Sequence, residues 1–146
     1  MIIIGYPGIG KSTICGADRG IIDLESSYFH PADAGDWAVG YSRVAWDLHK
    51  QGFDVCTSSH PCVIDELTLR KMPGDPIAII YPAKVLKEQW IEKLKKRYEI
   101  SLECADFRWI IEKNRRAYER ALDHYDEDIF SLSMLPLRRG ELCDMQ

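Results

Sequence analysis

The fold of this chain is decided by one stretch near its start, Gly5-Tyr6-Pro7-Gly8-Ile9-Gly10-Lys11-Ser12. Its spacing is G-x-x-x-x-G-K-[ST], a loop whose glycines accept positive φ angles and let the backbone come close to an anion. The amide groups around Gly8 to Ser12 are predicted to form a concave site for a phosphate group. Lys11 is suited to bridging the β- and γ-phosphates of a nucleotide, and the Ser12 hydroxyl is suited to binding Mg²⁺.

The residues on either side of the loop favour the strand–loop–helix setting that such a motif requires. Residues 2–4 are three isoleucines, which are typical of a buried parallel strand, and a helix is predicted over residues 11–18. In this setting the loop is interpreted as the phosphate-binding motif called Walker A. The predicted nucleotide contacts come from Gly5, Gly8, Ile9, Gly10, Lys11, Ser12 and Thr13.

Strand and helix patterns alternate along the rest of the chain. Apolar runs predict further strands at residues 20–24, 53–58 and 77–81, and helices at residues 37–51, 61–71, 83–98, 105–124 and 126–133. A last strand or a hairpin around Arg139 and Gly140 is predicted near the end. The alternation predicts an α/β fold, namely a three-layer αβα P-loop NTPase fold. We expect a single domain over residues 1–146 with a mainly parallel sheet of about five strands.

The carboxyl ends of the predicted strands should meet in one crevice, because ligands of open parallel sheets bind there. Polar residues follow two of these strands, at Asp23 to Ser27 and at Ser58 to His60. We therefore expect these segments to face the loop at residues 5–12.

Composition excludes several classes of function. The formal net charge of −4 disfavours binding to duplex nucleic acid or to an anionic membrane. No apolar run reaches 18 residues, so no transmembrane helix is predicted, and the first strand leaves no room for a signal peptide. The five cysteines form no C-x-x-C pair, which favours reduced thiols and a cytoplasmic location.

The chain resembles small P-loop kinases, the nucleoside monophosphate, shikimate and polynucleotide kinase group. Besides the loop, the resemblance depends on the pair Asp23-x-Glu25 after the second strand and on a basic helix after the fourth. A further stretch is similar to uncharacterised P-loop proteins of tailed phages labelled nucleotide kinase-like, which would place the protein in the host cytoplasm. That stretch is Tyr81-Pro82-Ala83-Lys84-x-Leu86-Lys87-x-x-Trp90.

The resemblance implies ATP and Mg²⁺ as cofactors, a small acceptor such as a nucleotide or nucleoside as partner, and Lys11, Asp23 and Arg97 as catalytic residues. Asp23 would orient or deprotonate the acceptor hydroxyl, or hold the hydration shell of Mg²⁺. The basic region at residues 84–120 would act as a lid. The acceptor and its phosphates would also contact Glu25, Arg43 and Lys93.

The sequence departs from that group where a Walker B carboxylate is expected. The third predicted strand ends in Ser58, and Asp54 stands at its start. The run at residues 63–66, Val-Ile-Asp-Glu, mimics Walker B but falls inside a predicted helix. We expect Asp23, or Ser58 or Ser59, to hold Mg²⁺ through water.

Two other functions stay open. A polynucleotide 5′-hydroxyl kinase would need exposed aromatic side chains for single-stranded nucleic acid, for which Trp46 and Trp109 are candidates. A nucleotide-binding switch or partner-binding module without catalysis would explain the missing Walker B aspartate. A G-protein is disfavoured, because the sequence has no N-K-x-D run.

Overall fold

A computed structural model describes residues 1–17, 20–29, 36–104 and 106–142, with side chains as far as residue 137. The chain forms two compact units. The first consists of Met1–Ile80 with Leu137–Gly140, and the second of Tyr81–Pro136 with the end of the chain. The single domain over residues 1–146 stays a prediction.

The first unit is an α/β structure. Its elements are β1 (Ile2–Gly5), α1 (Lys11–Ala17), β2 (Ile21–Asp23), a 3-10 turn (Ser26–Phe29), α2 (Trp37–Lys50), β3 (Asp54–Ser58), α3 (Pro61–Leu69) and the start of β4 (Ile77–Pro82). The first helix continues through Gly16 and ends at Ala17, one residue before the predicted end.

The sheet confirms the prediction of an α/β fold built on parallel strands. Its strand order is β2-β3-β1-β4, followed by β5 (Arg138–Leu142), and the pairs β1–β3, β1–β4 and β2–β3 are all parallel. Gly5 aligns with Ser58 and with Ile80, so β1 and β3 end in one row, whereas β4 continues to Pro82. β5 runs unbroken through Arg139 and Gly140, so the hairpin alternative is wrong.

The core of the first unit explains why β1 is central. Ile2 and Ile4 are fully buried, as a strand with neighbours on both sides requires. Trp46 of α2 is also buried, and its indole N–H donates to the Leu67 carbonyl of α3 at 3.3 Å. The prediction that Trp46 supplies an exposed aromatic surface is therefore wrong.

Two helix ends in this unit have a clear physical cause. Gly52 follows α2 with φ of +97°, a conformation that favours glycine and ends the helix. At the start of α3 the N-cap residue is His60. Pro61 occupies the first helical position, where its missing N–H costs no hydrogen bond.

The second unit consists mainly of two packed helices. A 3-10 turn (Lys84–Leu86) leads into α4 (Lys87–Cys104), and α5 (Arg108–Ser133) packs against α4. The prediction of separate helices at residues 105–124 and 126–133 is wrong. Asp126 does not cap a new helix, because its carboxylate pairs with the Lys87 ammonium of α4. Tyr125 and Ile129 are buried and continue the apolar face of α5 past that point.

The length and hydropathy of a helix decide whether it could span a membrane. Of the helices in the described ranges, none combines the length and the apolar content that crossing a bilayer requires.

Tyr41 of α2 fixes the carboxyl ends of two strands. Its side chain is fully buried, and its hydroxyl donates to the Leu24 carbonyl at 2.7 Å and accepts from the Ser58 amide at 2.9 Å. Burial raises the pKa of Tyr41, so the phenol keeps the proton it donates. One hydroxyl thus joins the segment after β2 to the end of β3.

The substitution Tyr41→Phe is expected to lower the free energy of unfolding by about 2 kcal/mol, because it leaves the Leu24 carbonyl and the Ser58 amide without this partner. Urea denaturation followed by circular dichroism measures the change. Tyr28→Phe is the matched control, because Tyr28 is 79% exposed and the same change there should have almost no effect. Equal midpoints for the two variants would contradict the role assigned to Tyr41.

Candidate functional site

The loop between β1 and α1 has the backbone that its sequence predicts. Gly8 and Gly10 have φ of 84° and 92°, values that residues with a Cβ atom rarely adopt. A tight turn is closed by the Ile9 amide, which donates to the Tyr6 carbonyl at 3.2 Å. The loop then enters α1 at Lys11.

Several amides of this loop remain available as donors. Within the described part of the chain, the N–H groups of Gly8, Gly10 and Ser12 have no hydrogen-bond acceptor. The Thr13 amide differs, since it donates to the Gly10 carbonyl at 3.1 Å. Any contact of Thr13 with a ligand therefore depends on its exposed hydroxyl.

Lys11 folds back over the loop. Its ammonium donates to the Gly5 carbonyl at 2.8 Å and lies 3.5 Å from the Tyr6 carbonyl. Its methylene chain covers Gly5 so closely that a Cβ atom at position 5 would lie 2.9 Å from Lys11 Cδ and 2.9 Å from Ile9 Cγ2. A Cβ atom at position 5 would therefore force Lys11 and Ile9 to shift, whereas Gly8 and Gly10 have backbone angles that favour glycine.

Ser12 and Asp23 form the polar contact at the centre of the site. The Ser12 hydroxyl donates to Asp23 Oδ2 at 2.6 Å, which joins the start of α1 to the end of β2. Hydrogen bonds to a carboxylate are shorter and stronger than those between neutral groups. The contact places a hydroxyl and a carboxylate together, and such oxygen atoms are the ligands that Mg²⁺ prefers.

The two carboxylates at and just after the end of β2, Asp23 and Glu25, make different contacts. Glu25 Oε1 accepts a hydrogen bond from the Ser27 amide at 3.3 Å, in the 3-10 turn that follows. The Asp23 carboxylate, in contrast, accepts from the Ser12 hydroxyl and not from this turn. The contact of Glu25 with an acceptor stays a prediction.

The end of β3 carries a small polar group of its own. The Ser58 hydroxyl is hydrogen-bonded to His60 Nδ1, and it accepts from the His60 amide at 3.3 Å. The His60 ring also meets the Trp37 ring edge-on, with 5.5 Å between centroids. His60 thus occupies the N-cap position of α3 without a side-chain capping bond, and its ring packs against Trp37 of α2.

The carboxylates that could replace a Walker B aspartate lie away from the carboxyl end of β3. Asp54 is at the first residue of β3, as the sequence predicts. Asp65 and Glu66 are inside α3, where Glu66 forms an ion pair with Arg70 at 2.9 Å. Among the described residues no three His, Cys, Asp or Glu side chains are grouped as a metal site. Ser12 and Asp23 are thus the best-placed oxygen ligands beside the loop.

The other predicted site residues are exposed on helices. Arg43 is on α2, whereas Lys93 and Arg97 are on α4 in the second unit. The Lys93 ammonium lies 4.5 Å from the centroid of the Trp90 ring. Arg97 has no ion-pair partner within the described ranges. The roles of all three in binding a nucleotide or an acceptor stay predictions.

Arg115 and Arg116 of α5 are neutralised by neighbouring carboxylates. Arg115 contacts Glu112 and Glu119, both at 2.7 Å, and Arg116 contacts Glu112 at 2.8 Å. The hydrogen bonds from Arg115, and then those from Arg116, lower the pKa of Glu112 to about 2. This pattern is that of a solvated helix surface.

Sequence reasoning missed the part that Tyr41 plays in the site. Tyr41 is fully buried in the core of the first unit. The two hydrogen bonds of its hydroxyl join segments 17 residues away on each side. A pattern of local spacing contains no signal for such contacts.

Comparison with known proteins does not assign this chain to a family. A scan against protein-family models gives no match, and neither does a search of curated proteins.

The substitution Gly5→Ala is expected to destabilise the protein by about 1 to 3 kcal/mol, because the new methyl group collides with Lys11 and Ile9. Thermal melting measures the loss. Gly16→Ala is the matched control, since a Cβ atom there meets nothing within 4 Å and alanine is the better helix former. A Gly5→Ala protein as stable as wild type would contradict the close packing of Lys11 on the loop.

Proposed function

We propose that the protein binds Mg-ATP at residues 5–12 and transfers the γ-phosphoryl group to a small acceptor, most simply a nucleotide or nucleoside. The proposal includes the three-layer P-loop fold with about five strands and the Walker A identity of the loop. The observation that carries it is the hydrogen bond from Ser12 to Asp23 at 2.6 Å, next to a loop with donors suited to phosphate.

Phosphate binding is supported by the chemistry of the loop. The amides of Gly8, Gly10 and Ser12 offer several N–H donors within five residues. The Lys11 ammonium now donates to neutral carbonyl oxygens, and phosphate oxygens are stronger acceptors because they are charged. We infer that Lys11 turns from Gly5 toward a bound triphosphate.

The residues present also fit a magnesium ion. The Ser12 hydroxyl and the Asp23 carboxylate are oxygen ligands, and Mg²⁺ is commonly held by a few such groups together with phosphate oxygens. When bound, Mg²⁺ would neutralise charge on the phosphates. Asp23 would hold this ion through water, since its Oδ2 already accepts from Ser12.

The acceptor is proposed to lie beside Asp23. A hydroxyl or phosphate oxygen of the acceptor attacks the γ-phosphorus, and the bond from that phosphorus to the bridging β–γ oxygen breaks. Asp23 orients the attacking group and takes its proton when that group is a hydroxyl. ADP leaves with the bridging oxygen. The roles of Arg97, Lys93, Arg43 and Glu25 remain those implied by the resemblance.

A nucleotide-binding switch without catalysis is the second candidate. It is favoured by the end of β3, where Ser58 stands at the position expected to carry a Walker B carboxylate. For the polynucleotide kinase alternative, Trp46 cannot stack on a nucleobase because it is buried, whereas Trp109 is 45% exposed. Transfer assays with nucleotides, nucleosides and oligonucleotides separate these functions.

The substitution Lys11→Ala is expected to weaken ATP binding at least tenfold, because it removes a charged partner of the phosphates. Isothermal titration with ATP and Mg²⁺ gives the affinity, and a melting curve tests whether the fold is kept. Lys71→Ala removes the same charge at an exposed position after α3 and serves as the control. Equal ATP affinities for the two variants would refute phosphate binding by Lys11.

The substitution Asp23→Asn is expected to slow phosphoryl transfer about 100-fold or more while ATP affinity stays within a few-fold of wild type. Transfer of labelled phosphate from ATP to the acceptor panel measures this. Asp65→Asn, at the Walker B imitation in α3, should transfer at the wild-type rate. Full activity of Asp23→Asn would remove Asp23 from the mechanism. Tight ATP binding by wild type without transfer to any acceptor would favour the switch.

A further inference from the structure

A serine and a histidine at the carboxyl end of β3 are arranged as a nucleophile and its base. The Ser58 hydroxyl is hydrogen-bonded to His60 Nδ1, and His60 is exposed to solvent. A serine hydroxyl becomes a useful nucleophile when a base within hydrogen-bond reach takes its proton. We propose that Ser58 is a phosphorylation site at which the protein modifies itself, with ATP at residues 5–12 as the phosphoryl donor. This inference rests on the proposed function, because it needs ATP in the loop.

The register of the sheet turns the Ser58 side chain toward the phosphate loop. Ser58 aligns with Gly5 in the parallel pair β1–β3, so the two residues project to the same face of the sheet. A Cβ atom on Gly5 would lie 2.9 Å from Lys11 Cδ and 2.9 Å from Ile9 Cγ2, so these two side chains cover that face. Neighbouring strands are about 4.8 Å apart, which places the Ser58 side chain beside that of Lys11.

The Lys11 ammonium lies on the side of β1 that faces β3. The Met1 carbonyl accepts from the Val55 amide of β3 at 2.9 Å, so the Gly5 carbonyl, an even number of residues later, points the same way. The Lys11 ammonium donates to that Gly5 carbonyl at 2.8 Å and is thus placed near the ends of β1 and β3. A γ-phosphate bound by Lys11 would therefore lie beside Ser58.

The nucleophile and its base are held in place by their surroundings. The Ser58 amide donates to the buried Tyr41 hydroxyl at 2.9 Å, and the His60 amide donates to the Ser58 hydroxyl oxygen at 3.3 Å. The His60 ring meets the Trp37 ring edge-on, with 5.5 Å between centroids. A nucleophile that is already positioned loses less entropy on reaching the transition state, so this arrangement favours reaction at Ser58.

The reaction balances in atoms and in charge. The Ser58 oxygen attacks the γ-phosphorus, the bond from that phosphorus to the bridging β–γ oxygen breaks, and ADP leaves with that oxygen. His60 Nδ1 takes the hydroxyl proton and passes it to water, because the residue is exposed. The products are ADP, one phosphoserine and one proton.

The modification acts back on the loop through its charge. A phosphoserine carries a charge of about −1.5 to −2 near neutral pH. Beside Lys11 this charge pairs with the ammonium and repels the phosphates of a second nucleotide. The modified protein should therefore bind ATP at least tenfold more weakly, which makes the reaction self-limiting.

The test incubates the full chain with ATP and Mg²⁺ and follows its mass. We expect a gain of about 80 Da, the mass of one phosphoryl group. Trypsin should place the group on the peptide of residues 51–70, and fragmentation of that peptide should assign it to Ser58. Ser58→Ala should abolish the gain, and Ser59→Ala, the matched control at the next residue, should keep it. Phosphate on Ser59, or a Ser58→Ala protein that gains mass like wild type, would overturn the proposal.

Reaction rates test the roles of the base and the loop. His60→Gln should slow the modification at least 100-fold while ATP affinity stays within a few-fold of wild type, because the base is lost and the loop is unchanged. The wild-type rate constant should not depend on protein concentration, since Ser58 and Lys11 belong to one molecule. A wild-type rate for His60→Gln, a rate constant proportional to protein concentration, or full labelling of Lys11→Ala by a contaminating kinase would each contradict the inference.

Nucleotide binding separates this inference from the proposed function. Isothermal titration uses an ATP analogue whose γ-phosphoryl group cannot be transferred. Binding of the analogue without phosphoserine formation from ATP would overturn self-modification and leave transfer to a small acceptor standing. The absence of binding would overturn both. Phosphoserine without transfer to any added acceptor would support the inference and refute the small-acceptor proposal. Equal affinities of the modified and unmodified proteins would overturn the effect on the loop.

Discussion

The hydrogen bond from the Ser12 hydroxyl to Asp23 Oδ2 joins the two ends of the site. It connects the first turn of α1 to the last residue of β2, although β3 separates β2 from β1 in the sheet. The bond brings a carboxylate to the loop whose amides and lysine are suited to phosphate. Without it Asp23 would be one polar residue at an edge strand, and the chemistry of the site would lack a carboxylate beside the loop.

Hydrogen bonds of Tyr41 and Cys56 hold the residue after Asp23 in place. The Tyr41 hydroxyl fixes Leu24, one residue after Asp23, and also the amide of Ser58 at the end of β3. The Cys56 carbonyl holds the Leu24 amide from the same strand. Tyr41 and Cys56 are buried, so the loss of these hydrogen bonds would be costly. The position of Asp23 is therefore supported by two residues of the core.

The structure also distinguishes two kinds of charged surface. Arg115 and Arg116 are engaged by carboxylates of their own helix, and such pairs are typical of solvated faces. Arg97 has no ion pair within the described ranges, so its charge is not already neutralised. Exposure alone does not distinguish these arginines, whereas their ion-pair partners do.

The sequence by itself determined the α/β class, the parallel strands and the loop, because glycine spacing and runs of isoleucine depend on local backbone geometry and burial. It also placed Asp23 at a strand end. It could not show that α5 is one helix, because Asp126 has the appearance of a cap until its pairing with Lys87 is known. Only the tertiary structure decided the contacts of Ser12 with Asp23 and of Tyr41 with Leu24 and Ser58. Each joins residues that are distant in the chain, and their meeting depends on strand order and register, which no local pattern records.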